Sequence, residues 1–155
     1  MGTEIERKFL VPGPFPLPSD GQTIRQGYLS RDPDRTVRIR RIGDQARLTI
    51  KGRKVGAAAP EFEYPIPVQD ADEMLDRLCE PGRIDKIRYL VPFAGFTWEV
   101  DVFSGENEGL VVAEIELERR GQEFERPAWV GEDVTEDPRY LNSNLSRTPY
   151  TKWER

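Results

Sequence analysis

Histidine is absent from this chain of 155 residues, and cysteine occurs once, at Cys79. Without histidine there is no Ser-His-Asp triad, no imidazole general base, no His-ligated zinc and no imidazole pH switch. A single cysteine excludes a disulfide framework and a thiolate-built zinc site. No charge-free apolar run reaches the ~18 residues of a membrane-spanning helix, and Met1 to Leu10 is too charged for a signal peptide. These absences predict a soluble, cytoplasmic protein in a reducing compartment. A basic excess is missing too. The 23 basic and 28 acidic residues leave a formal charge of −5, which argues against nucleic acid or an anionic membrane as partner. The chemistry that remains must come from carboxylates, lysine, arginine, tyrosine or hydroxyl groups.

What is present is punctuation and alternation. The length fits a single domain, residues 1–155, and 13 glycines and 13 prolines divide it into short runs, as in antiparallel β proteins. Strands are predicted near 3–12, 22–31, 35–43, 45–53, 59–67, 83–92, 96–104 and 110–119, with a tight Gly43-Asp44 hairpin and further turns at Pro33-Asp34, Ala94-Gly95 and Asn107-Glu108-Gly109. Over residues 69–80 the period changes. Ala71, Met74, Leu75, Leu78 and Cys79 fall on one helical face, which Pro81-Gly82 brings to a stop. A second helix is expected to start at Asp137-Pro138 and to bury Tyr140, Leu141 and Leu145. Residues 54–59, which include three alanines, read as a mobile surface loop.

Residues two apart on a strand share a face. Sorted this way, Glu4, Glu6 and Lys8 oppose Ile5 and Phe9; Arg38 and Arg40 oppose Val37 and Ile39; Thr49 and Lys51 oppose Leu48 and Ile50. Likewise Glu61 and Glu63 oppose Phe62 and Tyr64, Lys86 and Arg88 oppose Ile87 and Tyr89, Glu99 and Asp101 oppose Trp98 and Val100, and Glu114 and Glu116 oppose Ala113 and Ile115. An ordinary sheet with one wet face would read similarly. Wet faces, however, are rich in Thr, Ser and Gln, whereas these are nearly all ionised. Most are like-signed doublets only ~7 Å apart, self-repelling unless opposite charge lies between strands. A closed antiparallel barrel resolves the repulsion, with apolar faces outward under a few helices and acidic and basic strands meeting across a lumen.

That lumen would hold six cations (Lys8, Arg38, Arg40, Lys51, Lys86, Arg88) and eight anions (Glu4, Glu6, Glu61, Glu63, Glu99, Asp101, Glu114, Glu116), a net of −2. Two divalent ions would bring it to about +2, enough to attract a triphosphate. Mg²⁺ and Mn²⁺ prefer carboxylate oxygens, so they need neither histidine nor cysteine. Arginine and lysine clamp phosphate oxygens, and phosphoryl transfer asks mainly for positioning and charge neutralisation. Tyr28, on the same face as Gln26, suits either a substrate hydrogen bond or barrel packing. Cys79 reads as core. Trp98, Trp129 and Trp153 should cover the barrel's outside, where exposed aromatics could also let two copies pair as a homodimer.

The same residues carry a family resemblance. Glu4-Ile5-Glu6-Arg7-Lys8 resembles the ExExK signature of the CYTH superfamily, the triphosphate tunnel metalloenzymes. It is followed in order by Gln26-Gly27-Tyr28-Leu29, Arg38-Ile39-Arg40, Leu48-Thr49-Ile50-Lys51, Glu61-Phe62-Glu63, Lys86-Ile87-Arg88, Trp98 to Phe103 and Ala113 to Leu117. Asp137 to Ser143 also resembles the bacterial branch. The resemblance implies a mainly β (α+β) fold, an eight-stranded antiparallel barrel tunnel with a few flanking helices. It implies metal-dependent hydrolysis of a triphosphate, tripolyphosphate favoured, by metal-activated water attacking the terminal phosphorus. In that frame Glu4, Glu6, Glu114 and Glu116, assisted by Glu63, would hold two Mg²⁺ or Mn²⁺ ions. Lys8, Arg38, Arg40, Lys51, Lys86, Arg88 and Tyr28 would bind the phosphates, and Lys86 could also assist the leaving pyrophosphate. Glu61, Glu99 and Asp101 would orient the lumen cations. A class IV adenylate cyclase would share this lumen, a thiamine triphosphatase would add an aromatic clamp, and a noncatalytic polyphosphate- or nucleotide-binding module would not need the full carboxylate set.

Overall fold

A computed structural model describes residues 2–18 and 20–153. Eight strands form one closed antiparallel barrel: β1 (Gly2–Leu10), β2 (Gln22–Ser30), β3 (Arg35–Ile42), β4 (Gln45–Gly52), β5 (Ala58–Ile66), β6 (Ile84–Phe93), β7 (Phe96–Phe103) and β8 (Val111–Glu116). Around the barrel the order is β1-β5-β4-β3-β2-β6-β7-β8, and β8 closes on β1. The alternation read from the sequence sets this geometry. Most apolar residues of the strands point outward and need cover, which two outer clusters supply.

One cluster joins Phe9, Val91, Trp98, Val100, Ala113 and Ile115 on the outside of β1 and β6–β8, under Phe15, Phe124 and Trp129. Trp98 is fully buried there, 5.6 Å from the Phe9 ring and 6.0 Å from Trp129. The other lies under α1 (Val68–Arg77), which lays Ala71, Met74 and Leu75 over Ile39, Ala46 and Leu48. Gly27 of β2 permits this approach, since a Cβ there would sit 3.1 Å from Leu75 and Cys79. The helix ends three residues earlier than its pattern suggests. The amides of Leu78 and Cys79 both turn back to the Met74 carbonyl, so Leu78 leaves the apolar face and is 65% exposed. Gly82, at φ +101°, then makes the reversal; a Cβ there would lie 1.9 Å from the Ser146 carbonyl oxygen.

Two further segments differ from expectation. Residues 54–59 are not a mobile loop. Val55 and Ala58 exchange both backbone hydrogen bonds (2.7 and 3.1 Å), and Ala58 and Ala59 are buried in β5. The three small side chains that look like loop composition are what lets β5 start flush against β1. The region after Asp137 is not one helix. Asp137 accepts the Arg139 amide and starts a 3₁₀ turn, Pro138–Tyr140; Leu141 is extended, and α2 (Asn142–Arg147) begins afresh. Tyr140 and Leu145 are buried as expected, whereas Leu141 faces the barrel cavity.

The C-terminal segment covers part of one barrel end. Ile84, Phe103, Leu110 and Val112 pack there with Val134, Tyr140 and Leu145, and Trp153 packs against this cluster with its ring on Tyr140 and Tyr150. Ile84 and Phe103 alternate in phase with Lys86 and Asp101, so the lumen is not ionic throughout: this stretch of its wall is apolar core. No helix among the described residues is long and apolar enough to cross a membrane.

Candidate active site

The ionic faces meet inside the barrel because the registers align them. Lys8 lies opposite Glu114, Glu99 opposite Glu114, Arg88 opposite Asp101, Arg38 opposite Thr49, Thr49 opposite Glu63, and Lys51 opposite Glu61. β1, which carries Glu4, Glu6 and Lys8, outruns β5 beyond Ile5. Residues 131–135 brace that free edge. The Gly131 and Val134 amides donate to the Leu10 and Lys8 carbonyls (2.7 and 2.8 Å), and Thr135 Oγ1 accepts the Lys8 amide at 2.9 Å. Asp133 in turn accepts from Thr135 and from Arg7, so the strand is fixed from its outer side.

A cavity of about 450 Å³ opens between β1–β5, the β4–β5 turn and α2. Glu4, Glu6, Lys8, Tyr28, Arg38, Thr49 and Lys51 line its interior, and Arg31, Arg53, Lys54, Thr135, Glu136 and Asn142 to Asn144 line its mouth. Six cations thus stand against three carboxylates. Arg38 is 8% exposed, with Nη2 on Thr49 Oγ1 (3.2 Å) and 3.7 Å from Glu63. Its Nε is buried without an acceptor, a donor in need of a partner. Lys51 bonds Glu4 at 2.6 Å and holds its carboxyl below the usual range against the opposing effect of burial. Glu6 moves the other way. Burial first, then Glu114 and Glu4, raise its pKa well above that of an ordinary glutamate.

Behind the cavity wall lies a second ionic layer. Asp101 is 1% exposed and accepts Arg88 Nε (2.7 Å), Arg88 Nη2 (2.9 Å) and Lys86 Nζ (2.8 Å). Arg88 also reaches Glu99 (3.2 Å) and Glu114 (3.3 Å). Burial pushes Lys86 down to about 7; Asp101 opposes that shift, while Arg88 and Arg40 add repulsion. Lys86 is completely buried, with Asn142 Oδ1 at 3.4 Å on the cavity rim and the Phe103 ring 5.3 Å from its ammonium. Arg40, lowered to about 9 by burial and then by Arg38 and Arg88, donates to Gln26 Oε1 at 2.8 Å.

The expected site residues therefore fall into groups. Glu4, Glu6, Lys8, Tyr28, Arg38 and Lys51 come together around the cavity. Arg40, Lys86, Arg88, Asp101 and Glu114 form the layer behind it, while Glu61, Glu63, Glu99 and Glu116 lie at its margins, Glu63 and Glu116 being exposed. Tyr28 Oη lies 3.5 Å from the Gln26 amide, so this phenol both packs in the barrel and faces the cavity. Arg31, Lys54, Thr135 and Asn142 are not legible from strand faces, because they sit just past strand ends, in a turn and at the start of α2, where the period of two does not apply.

The carboxylates suit a hard divalent cation in chemistry: Glu4, Glu6, Glu114 and Glu116 supply only oxygens, and burial together with Glu114 and Glu4 disfavours the Glu6 charge, which such an ion would relieve. Among the described residues, however, no three acids already stand together as a ligand set. Lys51 pairs with Glu4, and Lys8 and Arg88 with Glu114, instead.

The model of the CYTH domain matches residues 2–150. An inorganic triphosphatase of Acetivibrio thermocellus is 51% identical over 155 residues, covering 99% of both chains. One from Nitrosomonas europaea is 40% identical over 152 residues, covering 93% of this chain and 97% of the relative. The crystal structure of an inorganic triphosphatase superposes with a TM-score of 0.68 at 36% identity, covering 94% of this chain and 95% of the other.

Proposed function

This chain belongs to the CYTH domain family, and we propose that it is a divalent-metal-dependent triphosphatase that hydrolyses a small inorganic triphosphate, tripolyphosphate above all, inside its barrel. The observation that carries this reading is the cavity itself. It joins an excess of cations, one of them the Arg38 guanidinium with a free buried N–H, to the carboxylates Glu4 and Glu6. A binder needs the cations alone; hydrolysis also uses the carboxylates. The relatives' activity as inorganic triphosphatases supports the substrate class.

Glu4, Glu6, Glu114 and Glu116, with Glu63 assisting, would hold one or two Mg²⁺ or Mn²⁺ ions. Such an ion, when bound, neutralises phosphate oxygens and lowers the pKa of a coordinated water. The chain's own side chains do the rest. Lys8, Arg38 and Lys51 bind the phosphoryl oxygens in a partly dry site, where each charge-assisted hydrogen bond is strong. Lys51 bonds Glu4 at 2.6 Å; were Glu4 to hold a divalent ion, Lys51 would be free for a phosphate oxygen. Arg40 and Arg88 add fixed positive charge from the second layer. Lys86 stands behind Asn142, so a part in stabilising the departing pyrophosphate requires that carboxamide to turn aside. Tyr28 is the one aromatic residue among the described lining residues, so the cavity offers a nucleobase or thiazolium no stacking pair. This favours the inorganic substrate over the cyclase and thiamine readings.

The test is a turnover panel of tripolyphosphate, ATP and thiamine triphosphate with Mg²⁺ or Mn²⁺, measuring both phosphate and cyclic AMP. Phosphate release fastest from tripolyphosphate is expected. Cyclic AMP as the main product would establish the cyclase, and binding without turnover under either metal would establish the noncatalytic module.

A further inference from the structure

Of the six cations lining the cavity, five have a carboxylate within 4.0 Å: Lys8 has Glu114 (4.0 Å), Arg31 has Glu80 (3.8 Å), Arg38 has Glu63 (3.7 Å), Lys51 has Glu4 (2.6 Å) and Arg53 has Asp34 (2.5 Å). Lys54 is the exception among the described residues. Its Nζ donates to an uncharged acceptor, the Thr135 carbonyl, at 2.7 Å. We propose that Lys54 is a further substrate-binding residue, a mouth lysine that takes the outermost phosphoryl group of the triphosphate; the inference rests on the triphosphatase reading above.

Three observations carry it. The first is place: Lys54 follows β4 three residues after Lys51 and faces Thr135 and Glu136 across the opening, so a chain gripped by Lys8, Arg38 and Lys51 inside reaches it last. The second is field. Burial and then Lys8 and Lys51 disfavour its charge, so an anion that engages those two lysines also relieves Lys54. The third is readiness. The Val55–Ala58 bonds and Gly56, at φ +61°, hold the turn, while the flexible four-carbon stem can carry the ammonium from the carbonyl to a phosphate. The exchange replaces a neutral acceptor with an ionised one, and such charge-assisted bonds are about twice as strong.

A purely structural Lys54 would only tie the β4–β5 turn to the segment bracing β1, and kinetics distinguish the two roles. Lys54→Met keeps the stem and removes the charge. It should raise KM for tripolyphosphate about ten-fold, the scale of one charge-assisted hydrogen bond, with kcat falling much less. It should also flatten the dependence of log KM on log salt, and Lys54→Arg should restore most of the affinity. An unchanged KM in Lys54→Met, with or without a lower melting temperature, would overturn the inference, as would a loss confined to kcat. Calorimetric titration of tripolyphosphate into the wild-type protein separates the two claims. Binding there with unaltered binding by Lys54→Met sinks the mouth lysine alone, whereas no binding by the wild type sinks the triphosphatase reading and the inference with it.

Discussion

Asp101→Asn tests the second ionic layer. Asp101 is almost fully buried and takes three charge-assisted hydrogen bonds, two from Arg88 and one from Lys86. The substitution keeps the shape, removes the charge and turns an amide N–H toward donors. Arg88 retains Glu99 and Glu114, but Lys86 is left with the uncharged Asn142 at 3.4 Å and the Phe103 ring at 5.3 Å. Breaking a buried pair in this way costs about 3–5 kcal/mol. At about 2–4 °C per kcal/mol for a chain of this size, the melting temperature should fall by roughly 6–20 °C. The pH dependence gives the sharper signature. In the folded protein Lys86 already sits near 7, below the 10.5 of a free lysine, so its burial penalty is full in acid and disappears as pH rises toward the unfolded value. Without Asp101, Lys86 can shed its proton more readily still. Urea unfolding at pH 6 and pH 9 should therefore show the larger loss at pH 6. A loss below about 1 kcal/mol at pH 6, or a larger one at pH 9, would refute the claim that Asp101 holds two buried cations.

Two backbone predictions follow from the turns, and both are read by chemical denaturation. Ala94 sits at φ 49° in the β6–β7 hairpin beside Gly95 at φ 84°, so Ala94→Asn, which accepts the left-handed conformation more readily, should gain about 0.5–1 kcal/mol; destabilisation would contradict it. Gly82→Ala forces a Cβ against the Ser146 carbonyl in a left-handed backbone and should cost about 1–3 kcal/mol or more, detaching the turn after α1 from α2; a neutral result would contradict it.

How much of this was legible beforehand depends on periodicity. Glu4-Glu6-Lys8 and Arg38-Arg40 were readable because a strand repeats every two residues, and the barrel followed from the need to bring opposite charges together. Strand sorting could not reveal depth. Arg38 and Arg40 share a face, yet Arg38 lines the cavity and Arg40 lies behind it, a difference set by the tilt and stagger of the barrel. Equally hidden were Ile84 and Phe103, in phase with the ionic residues but packed under Tyr140 and Leu145. The lumen total of −2 likewise concealed segregation: the cavity lining is cationic by three, and most of the acids are withdrawn from it. Lys54 escaped notice because three alanines beside it imitate a loose loop, whereas two of them are buried in β5.

The central claim is that carboxylates and cations inside one barrel hydrolyse a triphosphate with a divalent ion. The most direct measurement is phosphate release from tripolyphosphate by the wild type and by Glu6→Gln, with and without Mg²⁺ or Mn²⁺, after circular dichroism has shown both proteins folded. Turnover that requires the ion and falls at least about 100-fold in Glu6→Gln is predicted, the scale expected when a group that holds a catalytic metal is removed. Full metal-dependent turnover by Glu6→Gln would contradict the account.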